Sequence, residues 1–578
     1  MQSKVNEERV IMQGLISEAT KRNWERLSVD MDSKLKSRAN KLKSLKKILP
    51  IEYIQYSETI DYIKFISDNY IEHPISDIIY SIAIQILENK NLLSRQNVQK
   101  IIDDFKGKYL VSLIDIKPKI PKVSLNEDVL GALYQSLLAE GNKNKIGSYY
   151  TPDWIISDIL EGLNFKEEGT LLDPCCGSGA FLLNVEVRDP NLLYGVEKDE
   201  IAAFIARVNL LIKYSHIDFS PNIICADFLS EDNLWGDNMK FDFIATNPPW
   251  GSKIKYSNKL VDSKESFVHF FIKSYNILKS GGGIGFLFPE SILNVKAHKF
   301  IREFIITNQD LHEIHKYKAS FTGVSTNFVS LILRKNNISN SVIVKDEKDN
   351  VFDVNWDTFS LTSNKVFTLL RKDEKEIVES VIKHSKYSLE SSKWALGIVT
   401  GDNKNKLFSN YESGLEKIYT GKEIEKYRLK TATKFIVYDR DSFQQVAKDE
   451  IYRANEKLVY KFVSNKLVFA YDDTASLFLN SANILIPQIP GMSTKTVMAF
   501  LNSSLYQFLY EKMFGELKVL KGNLSELPFP EIDEVTDDLL SKMVDEILHN
   551  GKDLSSEIDS VIYGIYGLGV ENELFTNK

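Results

Sequence analysis

The sequence predicts an α/β fold, a doubly wound sheet of seven strands set between an N-terminal helical region and a C-terminal mixed α+β domain. Three observations predict it. Between about residues 169 and 335 short apolar runs alternate with helical stretches, the pattern of a largely parallel sheet covered on both faces. Asp173, Glu197, Asp227 and Asn247 close the first four of those runs, and in such sheets ligands bind outside the carboxyl ends of the strands. Past about residue 340 the alternation stops and short strands mixed with turns take over.

Composition sets the outer limits. A chain of 578 residues is too long for one ordinary core, so two or three domains are expected. Hydrophobic content of 43% and charged content of 26% are those of a soluble globular protein. The net charge of -7 excludes a protein basic all over but not a local basic patch for nucleic acid. Cys175, Cys176 and Cys225 are odd in number and lack CxxC spacing, which points to a reducing compartment and to no metal site. The opening MQSKVNEERV has no apolar core of a signal peptide, and nowhere do about 18 apolar residues run uninterrupted. The reading is therefore an intracellular, cytoplasmic soluble protein with no membrane span.

Residues 1–125 read as helical, with Ile75, Ile78, Ile79, Ile82 and Ile86 at helical spacing. Within them, Lys34, Lys36, Arg38, Lys41, Lys43, Lys46 and Lys47 occur without an acidic residue; this is a solvated helix face or a phosphate-backbone contact. Glu88-Asn89-Lys90 offers a Glu-x-Lys but lies in a helical pattern, so it is not read as a nuclease centre. Residues 126–340 form the expected catalytic domain. A helix from about Asn126 to Ala139 precedes the loop GNKNKIGSYYTP, whose Thr151 and Pro152 look like an N-cap and first helical position. The strands follow as GTLLD, NLLYGVE, NIICAD, FDFIAT, IGFLFPES, LHEIHKY and NFVSLILRK. Residues 341–384 are expected as a linker, 385–535 as a second domain and 536–578 as a helical, acidic end. Lys404, Lys406, Lys422, Lys426 and Arg428 interleave with Tyr419, Tyr427 and Tyr460 in the second domain, as surface solubility or as contacts to phosphates and base edges.

Two stretches carry chemistry. The Gly-rich turn after the first strand, with Gly177 and Gly179, followed by Glu197 at the end of the second, is a generic nucleoside-binding signal: glycines admit a ligand close to the backbone and the carboxylate accepts from a ribose diol. The full GxGxxG is absent and no GK[ST] occurs, which disfavours a dehydrogenase and excludes a P-loop. The fourth strand ends in NPPW, where two prolines cannot donate to a sheet ladder and leave a stiff polar lip. The Asn247 amide, the Pro248 carbonyl, the rigid Pro248-Pro249 backbone and the face of Trp250 suit a planar ring bearing an exocyclic amino group.

GSYYTP, DPCCGSGAFL, GVEKDE, ADFL and NPPW, in this order, resemble the motif set of S-adenosylmethionine-dependent DNA adenine-N6 methyltransferases of gamma-type motif order, the Taq-type enzymes of restriction-modification. The resemblance implies the seven-stranded methyltransferase sheet and, for 385–535, a target recognition domain. It implies S-adenosylmethionine as cofactor, met by Thr151 at its methionine end, by Asp173, Cys175, Gly177 and Gly179 around the methionine and sulfonium portion, by Glu197 at the ribose, by Asp227 at the adenine amino group and by Phe228 at the adenine face. Phe286 is a further wall. Asn247, Pro248, Pro249 and Trp250 become the catalytic lip, with Trp250 and Phe321 stacking on either side of a flipped adenine. Cys175 stands where alanine is usual, and Trp250 where tyrosine is.

The implied partner is double-stranded DNA, with a monomer expected in solution and a separate cognate restriction endonuclease compatible with the reading. Other assignments stay open at this stage: methylation of cytosine N4, an RNA base or a protein glutamine, or the modification subunit of a multi-subunit system. A short palindrome such as ATCGAT would suit the size and layout.

Overall fold

The computed structural model describes residues 54–122, 127–138, 151–236, 238–250, 261–318, 327–464, 466–514 and 519–569. The described residues divide into two compact bodies that meet in sequence between Phe359 and Ser360. No described helix is long and apolar enough to cross a membrane. The basic run from Lys34 to Lys47 lies outside the described residues.

The first body is built on a nine-stranded sheet of order β3-β2-β1-β4-β5-β7-β6-β8-β9. Its strands are β1 (Leu171–Asp173), β2 (Leu193–Glu197), β3 (Asn222–Cys225), β4 (Phe241–Thr246), β5 (Leu278–Pro289), β6 (Leu311–Tyr317), β7 (Phe328–Arg334), β8 (Ser341–Lys345) and β9 (Val351–Asn355). The first seven are those expected. β1 to β5 pair in parallel, while β7 runs antiparallel to both β5 and β6. The sheet does not stop at seven: β8 joins β6 in parallel and β9 folds back on β8, within the stretch read as a linker. Val342, Val344 and Val354 are buried there, at the period-two spacing of a half-covered strand.

Among the described residues, the helices of this body longer than one turn are α1 (Ser57–Asn69), α2 (Ile75–Asn89), α3 (Gln96–Tyr109), α4 (Val129–Leu137), α5 (Asp153–Gly162), α6 (Glu200–Lys213), α7 (Ser266–Ile277) and α8 (Lys299–Asn308). α6 starts where Asp199 accepts the N–H groups of Ile201 and Ala202, an N-cap that satisfies donors a helix start leaves open. The N-terminal helices share one apolar core with α6 and the sheet. Phe105 of α3 stacks on Phe204 of α6 with centroids 4.0 Å apart, and the Arg95 guanidinium donates to the Ile217 and Ser215 carbonyls. Residue 125 is thus not a boundary between cores.

Glycines on both sides of the contact between α5 and the sheet have a packing reason. A Cβ on Gly285 would lie 2.6 Å from the Ile159 side chain of α5, and one on Gly162 would lie 2.2 Å from Ile332 of β7. Small residues let α5 sit directly on the sheet. Its other anchor is polar: His315 on β6 lies 2.5 Å from Asp158 of α5 and 2.9 Å from Glu313, and Tyr317 donates to Asp158 at 2.7 Å. Burial works against the imidazolium, yet the two carboxylates push the His315 pKa up to about 9. Asp158 is also opposed by burial but is held down to about 2 by His315, Tyr317 and Lys345. A folded pKa above the unfolded value near 6.5 makes this stabilisation complete below that pH and lost as pH rises through about 9. Thermal unfolding between about pH 6 and about pH 10 is expected to show a decline on the order of 3 kcal/mol that the His315→Gln variant lacks.

The second body carries α9 (Lys372–Lys383), α10 (Thr494–Asn502), α11 (Ser504–Phe514), α12 (Glu534–Asn550) and α13 (Ser555–Ile565). Its strands form a two-stranded sheet of β10 (Ser385–Ser388) and β18 (Pro528–Pro530), a four-stranded sheet of order β11-β17-β14-β15, and a three-stranded sheet of order β13-β12-β16. The ranges are β11 (Lys393–Leu396), β12 (Glu416–Tyr419), β13 (Lys434–Ile436), β14 (Lys457–Lys461), β15 (Phe469–Asp472), β16 (Leu477–Phe478) and β17 (Ala482–Ile486). Two of the tyrosines offered for DNA contact are spent inside, and three of the cations, half-buried Lys406 and exposed Lys426 and Arg428, bond backbone carbonyls of the same body. Tyr427 and Tyr460 are core residues. Lys406 donates to the Thr400 and Ser442 carbonyls, Lys426 to that of Asn502 and Arg428 to that of Ile547. Lys404 and Lys422 are exposed.

Candidate active site

The carboxyl ends of β1, β2 and β4, the segment after β3, and the helices α4 and α7 enclose a cavity of about 510 Å³. It is lined by Thr151, Asp173, Cys175, Gly177, Glu197, Asp227, Phe228, Asn247 and Pro249, among others. The chain therefore brings together at one place residues that lie nearly a hundred positions apart.

Asp173 ends β1 with its carboxyl buried. It accepts from Thr246 Oγ1 at 2.6 Å and from the Cys175 N–H at 3.2 Å. Burial pushes its pKa up to about 7 against those two hydrogen bonds, and the Glu197 carboxylate adds to the rise. The Cys175 Sγ lies 2.9 Å from Thr246 Oγ1, and burial holds its thiol well above the usual range, so it is an inert small side chain here.

The turn after β1 is shaped by Gly177 and Gly179, whose φ values are +54° and +99°, a region open to glycine at no steric cost. A Cβ on Gly177 would meet nothing within 4 Å; only backbone conformation demands glycine there. The Gly177 N–H donates to Glu197 Oε2 at 2.9 Å and the Asp199 N–H to Oε1 at 2.7 Å. Burial raises the Glu197 pKa, with those N–H groups opposing it. Backbone N–H groups hold the carboxylate at the cavity wall, where its remaining lone pairs suit a vicinal diol.

Asp227 follows β3. Its Oδ2 pairs with Lys198 at 2.7 Å and its Oδ1 accepts the Leu229 N–H at 3.1 Å. Partial burial opposes ionisation, but the lysine and the N–H hold the pKa below the usual value. Phe228 is buried and stacks on Phe270 of α7, centroids 5.6 Å apart. Phe270 also lines the cavity and Phe286 does not. Phe286 pairs with Thr246 across the sheet and lies in the core, edge-on to Phe271 at 5.5 Å. The wall expected from Phe286 is thus supplied by Phe270.

The lip is ordered by its neighbours. Asn247 Nδ2 donates to Thr151 Oγ1 at 3.0 Å, while no donor among the described residues reaches its Oδ1 or the Pro248 carbonyl. The Pro249 carbonyl accepts from Ser266 Oγ at 2.6 Å. Trp250 donates its indole N–H to the Leu287 carbonyl at 3.3 Å and has Phe328 beside it at 6.4 Å. Thr151 is not the N-cap it resembled. α5 begins at Asp153 with Pro152 in the cap position, and the Thr151 side chain turns to Asn247 instead. Phe321 lies outside the described residues.

Several lining residues carried no motif. Gln135 and Tyr134 come from α4, which Asp128 ties to the glycine turn by accepting from Ser178 Oγ at 2.6 Å and from Asn209 Nδ2 at 2.7 Å. An acidic residue before an apolar helical run was the available signal for that helix start.

Comparison with known proteins meets this geometry from outside. The family model described as N-6 DNA Methylase matches residues 125–413, and the TaqI-like C-terminal specificity domain matches residues 416–529. The Type II methyltransferase M.VspI of Vibrio sp. (strain 343) is 32% identical over 316 residues, covering 51% of this chain and 74% of that protein. The Type I restriction enzyme MjaVII methylase subunit of Methanocaldococcus jannaschii is 30% identical over 150 residues, 24% of this chain and 25% of that subunit. Among solved structures, the Type IIL restriction-modification enzyme MmeI in complex with DNA shares the fold with a TM-score of 0.55 at 12% identity, over 82% of each chain.

Proposed function

This chain belongs to the N-6 DNA methylase family, and from that membership we propose that it methylates N6 of a flipped-out adenine in duplex DNA, acting alone as a type II modification enzyme with S-adenosylmethionine as donor. The observation that carries the proposal is Asn247, which lines the cavity that holds Glu197 and Asp227 and whose Oδ1, like the Pro248 carbonyl next in the chain, meets no donor among the described residues. The cavity's acceptors and aromatic wall fit an adenosine-bearing cofactor. Glu197 has lone pairs for a ribose diol, Asp227 an acceptor for an amino group, and Phe228 with Phe270 an aromatic wall. Bound there, S-adenosylmethionine supplies an electrophilic methyl group.

The chain's own residues do the rest. An adenine amino nitrogen is a poor nucleophile because its lone pair is delocalised into the ring. Asn247 Oδ1 and the Pro248 carbonyl each accept one amino hydrogen, an arrangement that strengthens as positive charge develops on the nitrogen. No strong base is needed. The proline pair and the Ser266 bond to Pro249 keep these acceptors in place. Trp250 stacks on the base, its orientation set by the Leu287 carbonyl. Trp250→Ala is expected to weaken binding of a duplex with an extrahelical adenine by roughly tenfold or more. Trp250→Phe, which keeps the face and loses the tether, falls between; fluorescence anisotropy measures both.

The C-terminal match to a specificity domain supports recognition within one chain. Incubation of the purified chain with duplex DNA and methyl-labelled S-adenosylmethionine tests this, with label expected in DNA unaided. A requirement for a second polypeptide would make the chain a modification subunit instead.

A further inference from the structure

We propose that Thr151 is a positioning residue for Asn247: its hydroxyl sets the polarity of the Asn247 carboxamide so that the oxygen, and not the nitrogen, faces the target amino group. The proposal rests on the reading of Asn247 as acceptor for that amine.

A carboxamide has nearly the same shape in its two orientations, and its hydrogen-bond partners decide between them. At Asn247 the partners are unequal. Nδ2 lies 3.0 Å from Thr151 Oγ1, and no described residue donates to Oδ1. Reversed, the amide would present two N–H donors to an amino group that itself donates, which removes the interaction the site depends on. Thr151 holds the sensing position firmly. Its side chain is 4% exposed and stands two residues before α5. That helix is seated on the sheet through the close approach of Ile159 to Gly285 and through the Asp158 contacts with His315 and Tyr317.

A hydroxyl both donates and accepts, so by itself it would tolerate either amide orientation. The tie is broken by the cavity. Thr151 lines it, and once its hydrogen is given to an acceptor there, the oxygen has only lone pairs left for Asn247. Nδ2 must then face Thr151 and Oδ1 must face outward. A ligand carrying an anionic group beside Thr151 therefore sharpens the selection of an amino-bearing base, and a ligand lacking it does so less.

The test reads selectivity in binding, without turnover. In the sequence context found to be modified, affinities are compared for duplexes with adenine or with purine, which lacks the amino group, at the target position. S-adenosylhomocysteine is present, or 5′-methylthioadenosine, which has no carboxylate. The wild type and Thr151→Ser are expected to prefer adenine by about tenfold with S-adenosylhomocysteine and less with methylthioadenosine. Thr151→Val, close in shape, is expected to show a ratio near one with either ligand, each held at a concentration that calorimetry shows to saturate that variant. Because an Asp side chain presents acceptors whichever way it turns, Thr151→Val is expected to change nothing further in an Asn247→Asp background. A Thr151→Val protein that keeps the adenine preference, or a Thr151→Ser protein that loses it, overturns the proposal. A wild type with no preference overturns the reading of Asn247 as amine acceptor, and the proposal with it.

Discussion

Replacing Asn247 with alanine is expected to lower single-turnover methyl transfer about a thousandfold at saturating cofactor, because it removes a preorganised group aimed at developing charge. Its Oδ1 has no other task among the described residues, and its Nδ2 is tied only to Thr151. The loss should fall on the chemical step. Affinity for S-adenosylmethionine should change little, since Glu197 keeps the N–H groups of Gly177 and Asp199, and Asp227 keeps Lys198 and the Leu229 N–H. Rapid-quench transfer assays with calorimetric cofactor binding separate the two. A variant weakened only in cofactor affinity would move Asn247 out of the chemistry and into the pocket wall.

Glu197→Gln is expected to produce the opposite split, weakening S-adenosylmethionine binding roughly a hundredfold through lost charge-assisted bonds and one mismatched backbone donor. The carboxylate accepts one backbone N–H on each oxygen, from Gly177 and from Asp199. An amide has a single acceptor atom, so one of those N–H groups would confront an NH2 in a buried site. The glycine turn would shift, and the ribose would meet one acceptor instead of two. Adenosine, which lacks the methionine portion, should lose affinity by a similar factor. Unchanged adenosine binding would mean that Glu197 serves only the turn.

Much of this site was readable in the sequence because its chemistry sits at strand ends. An apolar run that stops at Asp173, Glu197 or Asn247 marks both the strand and a residue that lines the cavity. Glycines with positive φ could be anticipated for the same reason, since a turn between strand and helix has few other solutions. What escaped depends on direction and on distant packing. Phe286 and Phe270 both lie in apolar runs, and period alone does not say that one faces the core while the other reaches the cavity. Thr151 looked like an N-cap because Thr-Pro is a common helix start, yet its partner, Asn247, is on another element. β8 and β9 had alternating valines but no loop-and-helix frame around them, so a linker was the simpler reading. The N-terminal helices showed an apolar stripe; that Phe105 would meet Phe204 is a long-range fact no local pattern holds.

The Asn247 and Pro248 acceptors and the adjoining cavity are proposed to form one site for methylating an adenine amino group. The most direct test is to digest DNA labelled by the purified chain to nucleosides and to sequence the modified positions. The label is expected to be recovered as N6-methyladenine, in one sequence context, and to disappear with Asn247→Ala. Label on cytosine N4, on RNA or on a protein amide, or label that survives Asn247→Ala, would contradict that proposal.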